Sequence, residues 1–76
     1  MEETILNIKN QIKTQIILAG FTMAEVVDAL SMEYGWSDSL SNFSAKLSRE
    51  SLRYKETLQL ADVLGYEIVW KKRRDD

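Results

Sequence analysis

The stretch FTMAEVVDALSMEYGWSDSLSNFSAKL, Phe21 to Leu47, decides how this chain folds. It opens on a helix start signal. Thr22 is a good N-cap and Glu25 follows three residues later, the spacing at which a hydroxyl and a carboxylate satisfy each other's backbone N–H groups. Phe21, just before the cap, is placed to pack on Val26 as a hydrophobic staple. Met23, Val26, Val27 and Leu30 recur at helical spacing as one apolar stripe, which Tyr34 continues. The helix is expected to end near Gly35. Trp36-Ser37-Asp38 reads as a turn, with Ser37 or Asp38 capping a further helix over about residues 38–49. Leu40, Phe43 and Leu47 form the buried side of that helix. Its opposite side holds Ser41, Asn42, Ala45, Lys46 and Arg49, with no acid and a small residue in the middle. Serine competes for backbone hydrogen bonds and is a poor residue for a helix interior. Phe43 and Leu47 must therefore hold this helix by packing.

Upstream, Ile5, Ile8, Ile12 and Ile16 recur at spacings of three and four, with Lys9, Lys13 and Gln15 between them. That is an amphipathic helix, held by packing rather than propensity, and it should stop at Gly20. Downstream, residues 50–54 are a connection. A fourth helix is expected from about Lys55 to Leu64, burying Leu58, Leu60, Ala61 and Leu64, with Gly65 as its stop. In YEIVWK, Tyr66 to Lys71, the residues Tyr66, Ile68 and Trp70 alternate with Glu67, Val69 and Lys71, the period of a β-strand. A lone strand has no partner for its backbone groups. The same strand of a second copy, paired antiparallel about a two-fold axis, is the simplest solution, with Tyr66, Ile68, Val69 and Trp70 at the interface. Packing back on the chain's own helices is the competing one. The expected organisation is a helical domain over 1–65, a dimerising strand over 66–71 and a charged tail over 72–76.

Composition narrows the function classes. The chain has 76 residues, no Pro and three Gly, so loops are few and helix content is expected to be high. It has no Cys and no His. A disulfide framework and thiolate or imidazole metal sites are therefore excluded, and so is the usual general base of neutral pH. No apolar run approaches the ~20 residues of a membrane span. MEETILNIK is acidic before it is apolar, the reverse of a signal peptide, and a cytoplasmic setting is expected. The net charge is −2. Its distribution is uneven. Residues 1–38 carry Lys9 and Lys13 against Glu2, Glu3, Glu25, Asp28, Glu33 and Asp38, a net of −4. Residues 39–55 carry Lys46, Arg49, Arg53 and Lys55 against Glu50 alone, a net of +3. Local potential decides where a polyanion docks, so this asymmetry outweighs the total.

A capped helix TMAEVVDAL, a turn, a polar-faced helix SLSNFSAKLSRE and a helix ETLQLADVLG follow one another. This order resembles the helix-turn-helix domains of the Cro/repressor (Xre-like) family. Thr22 and Glu25 match its first motif. Ser39, Ser41, Asn42, Phe43, Ser44, Lys46, Leu47 and Arg49 resemble its recognition helix, and Leu58, Ala61, Leu64 and Gly65 its following helix. The resemblance spans roughly residues 5–65. It implies an all-α, lambda-repressor-like bundle of four helices, here with a C-terminal β-strand, and a bacterial or phage setting. One departure is plain: the interval from Leu30 to Asp38 is several residues longer than the family's short turn. It bears on the angle between the two helices. Leu40 is at the surface in the family register and buried in the helical stripe.

The functional expectation is a transcriptional regulator that binds double-stranded DNA as a homodimer. A helix inserts into the major groove, and a groove-entering face must be slim, which suits Ser41 and Ala45. Asn42 is suited to adenine, and Lys46 or Arg49 to guanine or a phosphate. Ser39, Ser44, Arg53 and Lys55 are placed for phosphates, which position the domain without reading sequence. The plainer reading is a solvated helix with two ordinary cations. Glu25, Asp28 and Glu33 are more simply a solvated face than a carboxylate cluster. Trp36 and Trp70 pack by default, and Lys71 to Arg74 form a solvated tail as readily as a DNA contact. No cofactor, metal or membrane is implied, and nothing forms a convergent catalytic set. The rival is an interaction module or antitoxin-like adaptor that keeps the fold and binds protein through the acidic first half or the strand edge.

Overall fold

The computed structural model describes residues 7–74. Four helices follow in order: α1 Ile8–Leu18, α2 Met23–Tyr34, α3 Leu40–Arg49 and α4 Tyr54–Leu64. The chain turns by 89° between α1 and α2. The core lies where the four meet, with Ile16 from α1, Val26, Val27 and Leu30 from α2, Phe43 and Leu47 from α3, and Leu60 and Leu64 from α4 all buried. Ile12, Ala19, Phe21, Met23, Trp36, Leu52 and Val63 pack around that centre. Ile5, the expected start of the first apolar stripe, lies outside the described residues.

The sequence punctuation acts as its chemistry requires. Thr22 Oγ1 accepts the Glu25 N–H at 3.1 Å, and Glu25 Oε1 accepts the Thr22 N–H at 2.8 Å. This closed capping box contributes about 1 kcal/mol to the start of α2. At the far end, Gly35 adopts φ +73°, and the Trp36 N–H reaches back to the Leu30 carbonyl at 3.3 Å. That left-handed turn closes the helix and releases Trp36 toward the core. The other helix ends use the same left-handed turn, and three of the four positions are glycine. The fourth is Glu50, at φ +54° after α3. A residue with a Cβ pays about 1–2 kcal/mol there, and an acid sits badly at a helix C-terminus. Glu50→Gly is therefore expected to raise the unfolding free energy by about 1 kcal/mol, net of the glycine's own entropy cost. Urea titration of the two proteins measures the difference.

Several expectations need correcting. The N-cap of α3 is Ser39, whose side chain accepts the Asn42 N–H, rather than Ser37 or Asp38. Ser37 instead lies ahead of the helix and accepts the Ser39 N–H at 3.3 Å. The long lead-in is absorbed in a non-helical segment over 35–39, so α3 starts later. Leu40 is then the first helical residue, projects past the edge of the core and is 45 % exposed. Leu58 faces out of α4 and is exposed, because Leu60 and Leu64, four apart, fix the buried line of that helix. Tyr34 does not extend the apolar stripe. It is exposed, and its hydroxyl donates to the Asp62 carboxylate on α4. That hydrogen bond, with burial and the charges of Asp62 and Glu33 adding to it, holds the phenol above its ordinary pKa.

The expected strand does not form within the single chain: no strand occurs among the described residues. After Gly65 the chain instead turns back along α4. The Tyr66 N–H bonds the Ala61 carbonyl at 2.8 Å, and Trp70 Nε1 donates to Tyr54 Oη at 3.1 Å, at the first residue of α4. Helix α4 has already used its backbone groups internally, so it offers packing but no ladder. Tyr66 and Ile68 are about 40 % exposed, and Val69 and Trp70 are open to solvent.

Candidate nucleic-acid interface

Phe43 and Leu47 turn one side of α3 into the core. At about 100° per residue, this forces Ser41, Asn42, Ala45, Ser48 and Arg49 outward. Ser41, Asn42, Ser44, Ser48 and Arg49 are exposed, and Ala45 is half-buried by its small size. Ser48 was not among the expected residues, although it lies one heptad after Ser41 on the same outward side. That spacing was the available signal. Ser39 is half-buried and committed to capping, and its hydroxyl also meets Ser41 Oγ at 3.2 Å.

The cations divide into two kinds. Arg49, Arg53 and Lys55 are exposed and have no ion-pair partner among the described residues. Lys46 is different. It leans off the outward side toward α4, where its Nζ pairs with Glu56 Oε2. The same Nζ lies 5.3 Å from the centroid of the Trp36 ring, a cation–π geometry. Trp36 in turn meets Phe43 edge-on at 6.3 Å and donates its Nε1 hydrogen to Gln59 Oε1 at 2.7 Å. One aromatic side chain in the long connection thus bridges α3 and α4. Glu56 does the same from below: its other oxygen accepts the Arg53 N–H at 2.9 Å and so closes the first turn of α4.

Between the 35–37 segment and α3 lies an open cleft of about 410 Å³. Trp36 and Phe43 form its apolar part, and Ser37, Asn42, Lys46, Arg49 and Glu56 its polar part. The Asn42 amide donates to Ser37 Oγ at 3.3 Å, which draws that side chain from the outward side toward the cleft. Asn42, Lys46 and Arg49 therefore share one wall, and Ser41, Ser44, Ala45 and Ser48 form the opposite flank of the helix. Arg53 and Lys55 stand at the start of α4, beyond the end of α3.

Burial works to raise the Glu56 carboxyl pKa. It is outweighed by hydrogen bonds from Lys46 and the Arg53 N–H, together with those two positive charges, so the carboxyl lies below its ordinary 4.5. A carboxyl with a depressed folded value binds fewer protons than in the unfolded chain, so its contribution is full above the unfolded value. It is lost as the pH falls through the lower folded one. Acid titration of wild type and Glu56→Gln should therefore converge: wild type loses stability relative to the variant below about pH 4.5, and near neutrality the wild type is the more stable. Thermal melts across that range measure it.

No group of three or more His, Cys, Asp or Glu is arranged to hold a metal ion among the described residues. No single helix there is long and apolar enough to cross a membrane. No protein-family model matches this chain, and neither a curated protein nor a solved structure does so.

Proposed function

We propose that the protein is a sequence-specific DNA-binding regulator of the Cro/repressor (Xre-like) helix-turn-helix kind, with α3 as its recognition helix. The observation that carries this reading is the outward side of α3: slim, hydroxyl-rich and free of acids along Leu40–Arg49. Arg49, Arg53 and Lys55, exposed at its end and just beyond it, have no ion-pair partner among the described residues. A groove-reading helix needs a low profile and hydrogen-bonding groups, and a phosphate-binding edge needs cations with no internal partner. Arg49 and Asn42 are the base-reading candidates, with Ser41, Ser44, Ala45 and Ser48 fitting the groove wall. Arg53 and Lys55 would meet phosphates. Ser39 serves chiefly to start the helix. The reading assigns no catalytic role and no cofactor.

Selection of bound sequences from a random duplex pool, followed by anisotropy at two salt concentrations, tests it. An enriched motif and an affinity that falls steeply with salt are expected. Absence of binding even at low salt would refute it.

The same reading places two copies on a roughly palindromic site, with recognition helices about 34 Å apart. Val69 and Trp70 are exposed and Tyr66 and Ile68 half-exposed, an apolar surface that a second copy would cover. Ile68→Asp, at a half-exposed position, is expected to convert dimers to folded monomers in sedimentation experiments. A monomeric wild type would exclude this assembly. The exposed Trp70 and Val69 also favour one alternative, an adaptor that binds another protein through this edge, for which the selection would return no motif.

A further inference from the structure

The pair between Lys46 and Glu56 sits at the rim of the cleft on the DNA-facing side of the chain, and it unites opposing demands. Lys46 is the one cation of α3 and its downstream edge that is held by an acid among the described residues. Arg49, Arg53 and Lys55 have none. Glu56 is fixed from behind, because its second oxygen is bound by the Arg53 N–H at 2.9 Å. It cannot swing away with Lys46 without opening the first turn of α4. Lys46, on a flexible four-carbon stem, can. Its side chain is already 35 % exposed, and the cleft beside it is shared with Asn42 and Arg49.

We propose that Glu56 is an anionic competitor built into the interface, which withholds Lys46 from the DNA backbone and so sets the affinity of the protein for duplex DNA. This rests on the DNA-binding reading above. When a duplex approaches α3, Lys46 releases the Glu56 carboxylate and takes a phosphate oxygen. The carboxylate, still bound by the Arg53 N–H, is left facing the polyanion. Each step weakens binding relative to a chain with an uncharged residue in that place. Glutamine is the informative replacement. It fills the third helical position of a capping box as glutamate does, so α4 keeps its start, and it removes only the charge that holds Lys46.

The test uses the whole chain and a fluorescein-labelled duplex of mixed sequence, with anisotropy at low salt. Glu56→Gln is expected to bind several-fold more tightly than wild type, and the gain should be clearly smaller in a Lys46→Gln background, where only the repulsion between the carboxylate and the phosphates remains to be relieved. Glu56→Asp keeps the charge but is one methylene too short to hold both partners, so it too should tighten binding, and it serves in place of Glu56→Gln should that variant fail to fold. An equal gain in the Lys46→Gln background would mean that Glu56 acts only through long-range charge and would overturn the proposal. So would unchanged binding by a folded Glu56→Gln, with the DNA reading left standing. No binding by either protein would overturn both.

Discussion

Phe43→Ala should remove about 3–5 kcal/mol, roughly a third or more of the unfolding free energy of the protein. Phe43 is 3 % exposed and central to the contacts of α3 with the rest of the core. Truncating a buried phenylalanine costs about 3–5 kcal/mol in lost burial and residual cavity. At roughly 0.05–0.15 kcal/mol per residue, a chain of this size has about 4–11 kcal/mol in all. The loss is aggravated locally. Helix α3 carries serine at three of its ten positions, so little intrinsic propensity remains once its anchor is gone. Trp36 would also lose its edge-on partner, and with it the bridge to Gln59. Urea titration followed by far-ultraviolet circular dichroism gives the result directly. A Phe43→Ala protein that loses less than about 1 kcal/mol would mean that α3 is held by something other than this core.

The second large effect concerns function and leaves the fold alone. Asn42 and Arg49 are exposed, lie on one wall of the cleft and bury no apolar surface of consequence. Asn42→Ala with Arg49→Ala should therefore melt within a few degrees of wild type. On a duplex recovered by selection, each lost base contact costs about 1–3 kcal/mol. The pair should weaken specific binding by about thirtyfold at the least, if the two add. Binding to mixed-sequence duplex should fall much less, because Arg53 and Lys55 still face the phosphates. Equal losses on both duplexes would reassign Asn42 and Arg49 from reading bases to holding backbone. Unchanged affinity on both would remove α3 as the reader.

Local chemistry was legible in the sequence, and long-range chemistry was not. The capping box of Thr22 and Glu25, the stop at Gly35 and the Phe43–Leu47 anchor each depend on residues within four positions, and all are present as read. The start of α3 was misplaced because Ser37, Asp38 and Ser39 are all competent caps. The choice among them is made by how far Trp36 must reach to meet Phe43 and Gln59. Leu40 followed that misplacement from core to surface. The pairing of Lys46 with Glu56 joins two helices across a ten-residue separation and has no sequence period to announce it. It moves Lys46 from a free cation to a neutralised one. The alternation of Tyr66 to Lys71 was read as a ladder. Alternation records only that two sides differ, and helix α4 supplies one of them.

The two tryptophans are placed so differently that the chain carries its own optical probe. Trp36 is half-buried between Phe43 and the Lys46 ammonium group, and Trp70 is 84 % exposed against Tyr54. With Trp70 replaced by phenylalanine, all tryptophan emission would come from the joint between α3 and α4. Departure of a cation from that ring changes the field across the indole, so the emission would register the state of Lys46 without any attached dye. The residue that lengthens the connection beyond a short turn thus also makes that connection visible from outside.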